Sequence, residues 1–301
     1  MLLNSSRAFL LNRDKLIGVY MYKIIRKEKL NQTVTLMEIE APFAARRAEP
    51  GQFVILRVNE NGERIPLTIA DFNREKGTVT IIFQIVGATT ELLNTKEDGE
   101  YLQDFAGPLG KPSDCDGLKK VCVVGGGVGN AIAYPTAKKL HNMGCDVTVI
   151  AGFKNKDLVI LEKEFEAVCS RFVKVSDDGS WGEKGLVTDA LRKLLEGGES
   201  FDEVIAIGPV IMMKFVCALT KEFNVKTVIS MNPIMVDGTG MCGACRLTVG
   251  RETKFACVDG PDFDGHLVDF DEAMSRSSMY CEFERAKHEH VCNLLRKGEE
   301  A

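Results

Sequence analysis

The chain has 301 residues, enough for two or three domains each with its own core, and its 45% hydrophobic and 27% charged content is that of an ordinary globular protein. A formal net charge of −5 gives no sign of the basic stripe that nucleic acid demands, and no apolar run reaches the roughly 18 residues needed to span a bilayer. Ten cysteines in a chain this long argue against a small secreted disulfide scaffold; Cys122, Cys145, Cys169 and Cys217 read as buried reduced thiols, which fit a reducing cytoplasm.

Residues 1–20 read poorly as structure. Phe9-Leu10-Leu11 is too short for a signal-peptide core, and no small-residue cleavage site follows. Residues 17–21 can be back-translated to a ribosome-binding AGGAG directly ahead of the Met21 codon. The expectation is a natural start at Met21, with 1–20 a non-native or disordered extension; N-terminal sequencing of natively purified protein checks it.

Residues 22 to about 105 read as short strands. The runs 33–40, 52–58 and 78–86 are rich in β-branched residues and bounded by the turn signals Pro50-Gly51, Asn61-Gly62 and Lys76-Gly77. Closely spaced strands without long helices predict a small antiparallel barrel. On one of them, Arg64-Ile65-Pro66-Leu67-Thr68 offers an arginine that can clamp a phosphate, with backbone beyond the proline that can lie along a flat ring. Taken alone, the same run reads as a surface arginine and an edge-strand proline. The turn Gly87-Ala88-Thr89-Thr90, ahead of an expected helix over 91–95, offers a helix N-terminus to a second phosphate.

Gly107 to Pro112 punctuate the end of this region, and from Lys119 strand and helix alternate. Strands are predicted over 120–124, 146–151, 171–175, 204–207 and 227–230, with helices over 130–143, 157–168, 188–195 and 212–223. Such alternation predicts a parallel sheet covered on both faces. Gly125 to Gly129 follow the first strand and open the first helix, where a pyrophosphate can approach backbone N–H groups at the positive helix end. Lys154-Asn155-Lys156 reads either as a contact for a 2′-phosphate or as a solvated turn.

The remaining residues hold a glycine-rich loop with the spacing D-x4-C-x2-C-x11-C, from Asp237 through Cys242 and Cys245 to Cys257. Thiolates so close in sequence can turn onto one centre while the glycines let the backbone wrap around it, as in a carrier of single electrons. Two other readings stay open. One is a structural zinc, although zinc sites usually pair C-x2-C knuckles or use histidine. The other is an iron site whose fourth ligand is Cys281, with Asp237 a turn residue. The four histidines show no ligand spacing with the cysteines, and no nucleophile–base pair is evident, which argues against hydrolytic chemistry. A charged segment of helical character follows over 269–297; within it, 270–296 reads as a docking element or as a solvated amphipathic helix.

Barrel, phosphate clamps and nucleotide domain, in that order over 22–230, resemble the ferredoxin–NADP reductase superfamily. With the cysteine loop appended, the chain resembles the electron-transfer subunit of dihydroorotate dehydrogenase. It is still more similar to the small (alpha) subunit of NADH-dependent reduced ferredoxin:NADP oxidoreductase, also described as a sulfide dehydrogenase subunit. The runs 63–71, 176–180, 208–213 and 231–259 carry the likeness. Aspartate at 237, where the dihydroorotate type has cysteine, favours the second family.

The resemblance implies a ferredoxin–NADP reductase-like fold of mixed α/β and all-β type. Its parts would be an antiparallel FAD-binding β-barrel (21–112), a parallel doubly wound NAD(H)-binding domain (113–230) and a small C-terminal [2Fe–2S] module with a helix (231–301). It implies FAD contacts from Arg64, Pro66, Leu67, Thr68, Gly87, Thr89 and Thr90. Gly126, Gly127, Val128 and Gly129 would hold the NAD(H) pyrophosphate, and Asp178, Gly208, Pro209 and Met213 would line the nicotinamide cleft. Asp237, Cys242, Cys245 and Cys257 would bind the cluster. Ile207 departs from the superfamily, which often has cysteine before Gly-Pro. The implied activity is hydride exchange between NAD(H) and FAD, with single electrons passed to a larger flavin and iron–sulfur partner subunit in a heterodimer. That partner would handle NADP(H) and ferredoxin in an electron-bifurcating reaction. Two alternatives remain: the dihydroorotate-type subunit, with a different acceptor, and a redox-sensing module whose cluster is a switch.

Overall fold

The structure, a computed structural model, describes residues 21–279 together with Glu282 and Phe283. The expectations for residues 1–20, for Cys281 and for the far part of the C-terminal segment lie outside the described residues.

The first sheet is antiparallel and comprises β1 (Tyr22–Lys29), β2 (Val34–Glu40), β3 (Phe53–Arg57), β4 (Ile65–Asn73), β5 (Thr78–Gln84), β6 (Tyr101–Leu102) and β7 (Asp104–Leu109). Its order is β6-β1-β2-β5-β4-β3-β7. Only Gln103 separates β6, which pairs with β1, from β7, which pairs with β3. The run 101–109 therefore nearly closes the sheet into a barrel, and closure removes the open edges that would invite mispairing. Alternate residues point inward, as the two-residue strand period requires: Met37 and Ile39, Val54 and Leu56, Val79 and Ile81 are all buried in one core. Two short helices interrupt the strands. α1 (Pro42–Arg47) starts on a proline, whose missing N–H goes unused in a first turn, and α2 (Ala88–Asn94) follows β5.

The second sheet alternates as predicted: β8 (Lys120–Gly126), α3 (Gly129–Asn142), β9 (Asp146–Phe153), α4 (Glu162–Glu166), β10 (Arg171–Ser176), β11 (Glu183–Lys184), α5 (Val187–Glu196), β12 (Glu203–Ile207), α6 (Val210–Glu222) and β13 (Thr227–Ser230). These strands are parallel, and β12 is buried along its whole length because helices cover both faces. A late strand, β16 (Asp262–Asp264), adds antiparallel to β13 at one edge. The helix expected over 157–168 is shorter than its pattern. A 3-10 turn (Lys156–Leu158) comes first, Ile160 is drawn into a core with Ala70, Ile82 and Phe153, and Leu161 then breaks the run at φ 57°. The sheet order β11-β10-β9-β8-β12-β13-β16 reverses between β8 and β12. That switch point opens a crevice at the carboxyl ends of the two strands, where ligands of such sheets bind.

Between β13 and β16 lie the cysteine loop and a hairpin of β14 (Arg246–Val249) and β15 (Glu252–Phe255); α7 (Phe270–Ser277) follows β16. Among the described residues, this last part has no separate core. Cys245, Leu247, Ala256, Cys257 and Phe270 share one hydrophobic cluster with Val124 and Ile150 of the second sheet, Met213 of α6, and Phe53 and Ile55 of the barrel. Barrel and second sheet are also joined by Asp71 on β4 and Lys138 on α3, 2.8 Å apart. Among the described residues, no helix is long and apolar enough to cross a membrane.

Candidate functional site

The β3–β4 register sets the first cluster of candidate residues. Phe53 faces Thr68, Val54 faces Leu67 and Ile55 faces Pro66, so Pro66, Leu67 and Thr68 lie half-buried on one strand with Arg64 exposed just ahead of it. Arg64 makes no hydrogen bond or ion pair among the described residues. It lines a cleft of ≈ 610 Å³ together with Arg57, Phe105 and Asp237. Arg57 is held by Asp104 at 2.6 Å, which leaves Arg64 as the uncommitted cation of that cleft. The Gly87 turn stands beside this strand, because the Thr89 hydroxyl donates to Glu63 Oε2 at 3.1 Å. Thr90 is used inside the turn: its Oγ1 accepts from the N–H groups of Val86 and Gly87, both at 3.0 Å, and donates to the Gly87 carbonyl.

The second cluster sits at the switch point. A cleft of ≈ 660 Å³ is lined by Gly126, Gly127, Lys154, Asp177, Pro209 and Met212, among others. Gly127 has φ +56° and open space where a side chain would point, so it can present its backbone to a ligand. Gly129 has a different reason to be glycine: a Cβ there would stand 2.5 Å from the Ile207 carbonyl oxygen, so it sets the close packing of α3 on β12. Val128 faces away and packs in the core that holds Ile160 and Phe153. Gly208 lies against Gly126 and Met212.

Two residues expected in the cleft are found elsewhere. Met213 is fully buried in the core, and Met212 lines the cleft in its place, because adjacent helix residues diverge by about 100°. Asp178 turns into its own loop, accepting from the Ser180 N–H at 2.9 Å and its hydroxyl at 2.6 Å. Those bonds, the hydroxyl's first, hold its carboxyl below the usual range. The neighbouring Asp177 lines the cleft. Sequence reasoning also missed Ile211 and Phe215, apolar and exposed on the cleft side of α6. Their i, i+4 spacing is the signal that could have found them.

In the third cluster, Gly238, Gly240 and Gly243 take φ of +75°, +80° and +70°, which bends the loop around its acidic and thiol side chains. Asp237 Oδ1 accepts from the Thr239 N–H at 2.9 Å; that bond, and then one from Cys242, hold its carboxyl below the usual range. Cys245 and Cys257 are both buried, and burial, followed by the influence of Cys245, pushes the Cys257 thiol up to about 12. Cys242 is exposed. Among the described residues, no three such side chains converge on one point. Three thiols and a carboxylate on one loop are four donors, two for each iron of a two-iron core, so the donor set fits that group.

Comparison with known proteins bears on each part. Residues 232–269 match the iron-sulfur cluster binding domain of dihydroorotate dehydrogenase B. The chain is 46% identical over 282 residues to the "Dihydroorotate dehydrogenase B (NAD(+)), electron transfer subunit homolog" of Thermotoga maritima, covering 94% of this chain and 99% of that protein. It is 53% identical over 268 residues to a Clostridium beijerinckii protein described only by its location in the adh 3′ region, covering 86% and 90%. A solved chain of the NADH-dependent reduced ferredoxin-NADP oxidoreductase, determined for insight into flavin-based electron bifurcation, matches at TM-score 0.86 and 44% identity. That match covers 91% of this chain and 99% of the other.

Proposed function

The chain belongs to the family of dihydroorotate dehydrogenase B-type electron-transfer subunits, and we propose that it is the NAD(H)-linked FAD and [2Fe–2S] subunit of an electron-bifurcating ferredoxin:NADP oxidoreductase. The observation that carries this reading is a shared cleft: Asp237 of the cysteine loop lines the same cavity as Arg64 of the barrel. A flavin held by Arg64 is thereby next to the loop that would hold the cluster.

In this reading Arg64 binds the FAD pyrophosphate, and the strand Pro66, Leu67, Thr68 supports the ring, with Gly87 and Thr89 at its flank and Thr90 keeping their turn closed. Gly126 and Gly127 admit the NAD(H) pyrophosphate to backbone N–H groups. Pro209 and Met212 line the nicotinamide side, and Ile211 and Phe215 keep water from it. Asp237, Cys242, Cys245 and Cys257 bind the cluster. FAD, when bound, exchanges hydride with NAD(H) and passes electrons one at a time. The chain's side chains orient the two nucleotides and supply no acid or base.

A larger flavin and iron–sulfur subunit completes the assembly and handles NADP(H) and ferredoxin; reduced thiols suit a cytoplasmic setting. Aspartate at 237 favours this assembly over the dihydroorotate type. The second reading, an electron-transfer subunit feeding a dihydroorotate dehydrogenase, is favoured by the match over 232–269. The deciding experiment is visible absorption with EPR on anaerobically purified protein, before and after NADH. Flavin bleaching with a rhombic [2Fe–2S] signal supports the proposal. Bleaching without an iron signal reduces the chain to a simple reductase, and absence of both chromophores overturns the reading.

A further inference from the structure

Two arginines grip the cysteine loop. Arg246, the first residue of β14, donates Nη1 to the Gly243 carbonyl at 3.2 Å. Arg276, on α7, donates Nη2 to the Ala244 carbonyl at 3.1 Å. Gly243 and Ala244 are the two residues between Cys242 and Cys245, so both carbonyls of the C-x2-C turn carry a guanidinium. Both arginines and Cys242 line one cavity of ≈ 320 Å³.

Neither arginine has a carboxylate partner among the described residues, and the nearby acids are engaged elsewhere. Glu272 accepts from the Thr248 N–H at 3.0 Å, Asp271 pairs with Lys214 at 2.6 Å, and Asp269 caps its own helix. Two unpaired guanidiniums beside one loop, in a chain of net charge −5, call for an anionic counterpart. Three thiolates and a carboxylate supply it, since together they carry more negative charge than an oxidised two-iron core carries positive.

We infer that Arg246 and Arg276 are positioning residues of the cluster loop that also raise the reduction potential of the cluster. The inference rests on the proposed function. One-electron reduction, fed from NAD(H) through the flavin, adds a negative charge at the loop with no bond formed or broken and no proton moved. Fixed positive charge and donated hydrogen bonds favour that added charge, as they do at iron–sulfur sites generally. The planar fork of each guanidinium also fixes the direction of the carbonyl it binds, which an ammonium does less well. Arg276 lies beyond residues 232–269, so half of this grip comes from outside the matched iron-sulfur domain.

The test uses the full chain, purified anaerobically, as wild type, Arg246→Gln, Arg276→Gln, the double variant and Arg276→Lys. Iron and sulfide content is measured first, then an EPR-monitored redox titration, then the rate of Cys242 alkylation by iodoacetamide in metal-free protein. Each Gln variant should be harder to reduce, with the reduced-to-oxidised ratio at fixed potential falling about tenfold, which is 59 mV for one electron. Arg276→Lys should keep most of the potential yet alkylate faster, because charge remains and the fork is lost. Wild-type potentials in both fully loaded Gln variants would overturn the inference. A Gln variant that folds without loading iron hands the decision to Arg276→Lys, whose unchanged alkylation rate would equally overturn it. A wild-type chain without iron and sulfide would instead overturn the proposed function on which the inference stands.

Discussion

Arg64 illustrates how far single residues were legible. Its type and its place before a proline were readable as a phosphate clamp, but so was a plain surface arginine; the choice depends on its lacking, among the described residues, a counter-ion beside an open cleft. We predict that Arg64→Ala weakens FAD binding about tenfold to a hundredfold, the range for losing a hydrogen bond to a charged group. Fluorescence titration of flavin into apo-protein measures it, and wild-type affinity would remove Arg64 from the site. Asp262 was not legible at all. Its carboxylate accepts from the Ser113 hydroxyl at 2.6 Å, while its other oxygen is sealed from solvent with no partner among the described residues. Burial raises its pKa above the ordinary 3.8, with Ser113 and Ser230 working against the rise. The neutral form is therefore favoured on folding: its stabilisation is present below pH 3.8 and is lost as pH climbs through the raised value. Melting curves of wild type and Asp262→Asn between pH 4 and 8 should show wild type losing ground to the variant as pH rises. Parallel curves would contradict this.

At the scale of elements, the strand–glycine–helix unit was readable because its requirements are local. The glycines nevertheless serve different ends. A Cβ at Gly129 would meet backbone, the Ile207 carbonyl, which cannot yield cheaply. Gly129→Ala should cost about 1–3 kcal/mol of stability, the usual range for overpacking. A Cβ at Gly126 would meet chiefly the Met212 sulfur, the end of a flexible side chain, with the Pro209 ring next at 3.3 Å. Gly126→Ala should leave the Tm nearly unchanged and raise KM for NADH as Met212 is displaced into the cleft. Thermal melts with NADH-driven dye reduction distinguish the two, and equal effects of both variants would refute this division. Helix phase was less legible. Two successive methionines on α6 look alike in sequence, and only the packing of Met213 into the core leaves Met212 for the cleft. The pattern over 157–168 was read as one helix because nothing local announces that the core will claim Ile160.

Across the whole molecule, the barrel keeps a core of its own, while the cysteine region completes the core of the second sheet. Hydrogen exchange should therefore find the Leu247 and Phe263 amides opening with the same free energy as β8 and β12, in one cooperative unit. Markedly faster exchange at those two amides would mean an independent module. Much of this architecture follows from the sequence by itself. The alternation of strands and helices, the glycine loop and the D-x4-C-x2-C-x11-C spacing depend on side-chain periodicity, backbone freedom and short-range reach, which neighbouring residues set. The tertiary structure alone decided that Asp237 faces the cleft of Arg64, that β16 returns to pair with β13, and that Arg276 reaches back to the loop between Cys242 and Cys245. Those contacts join residues far apart in the chain, and what brings them together is the packing of shared apolar faces, which no local pattern of residues encodes.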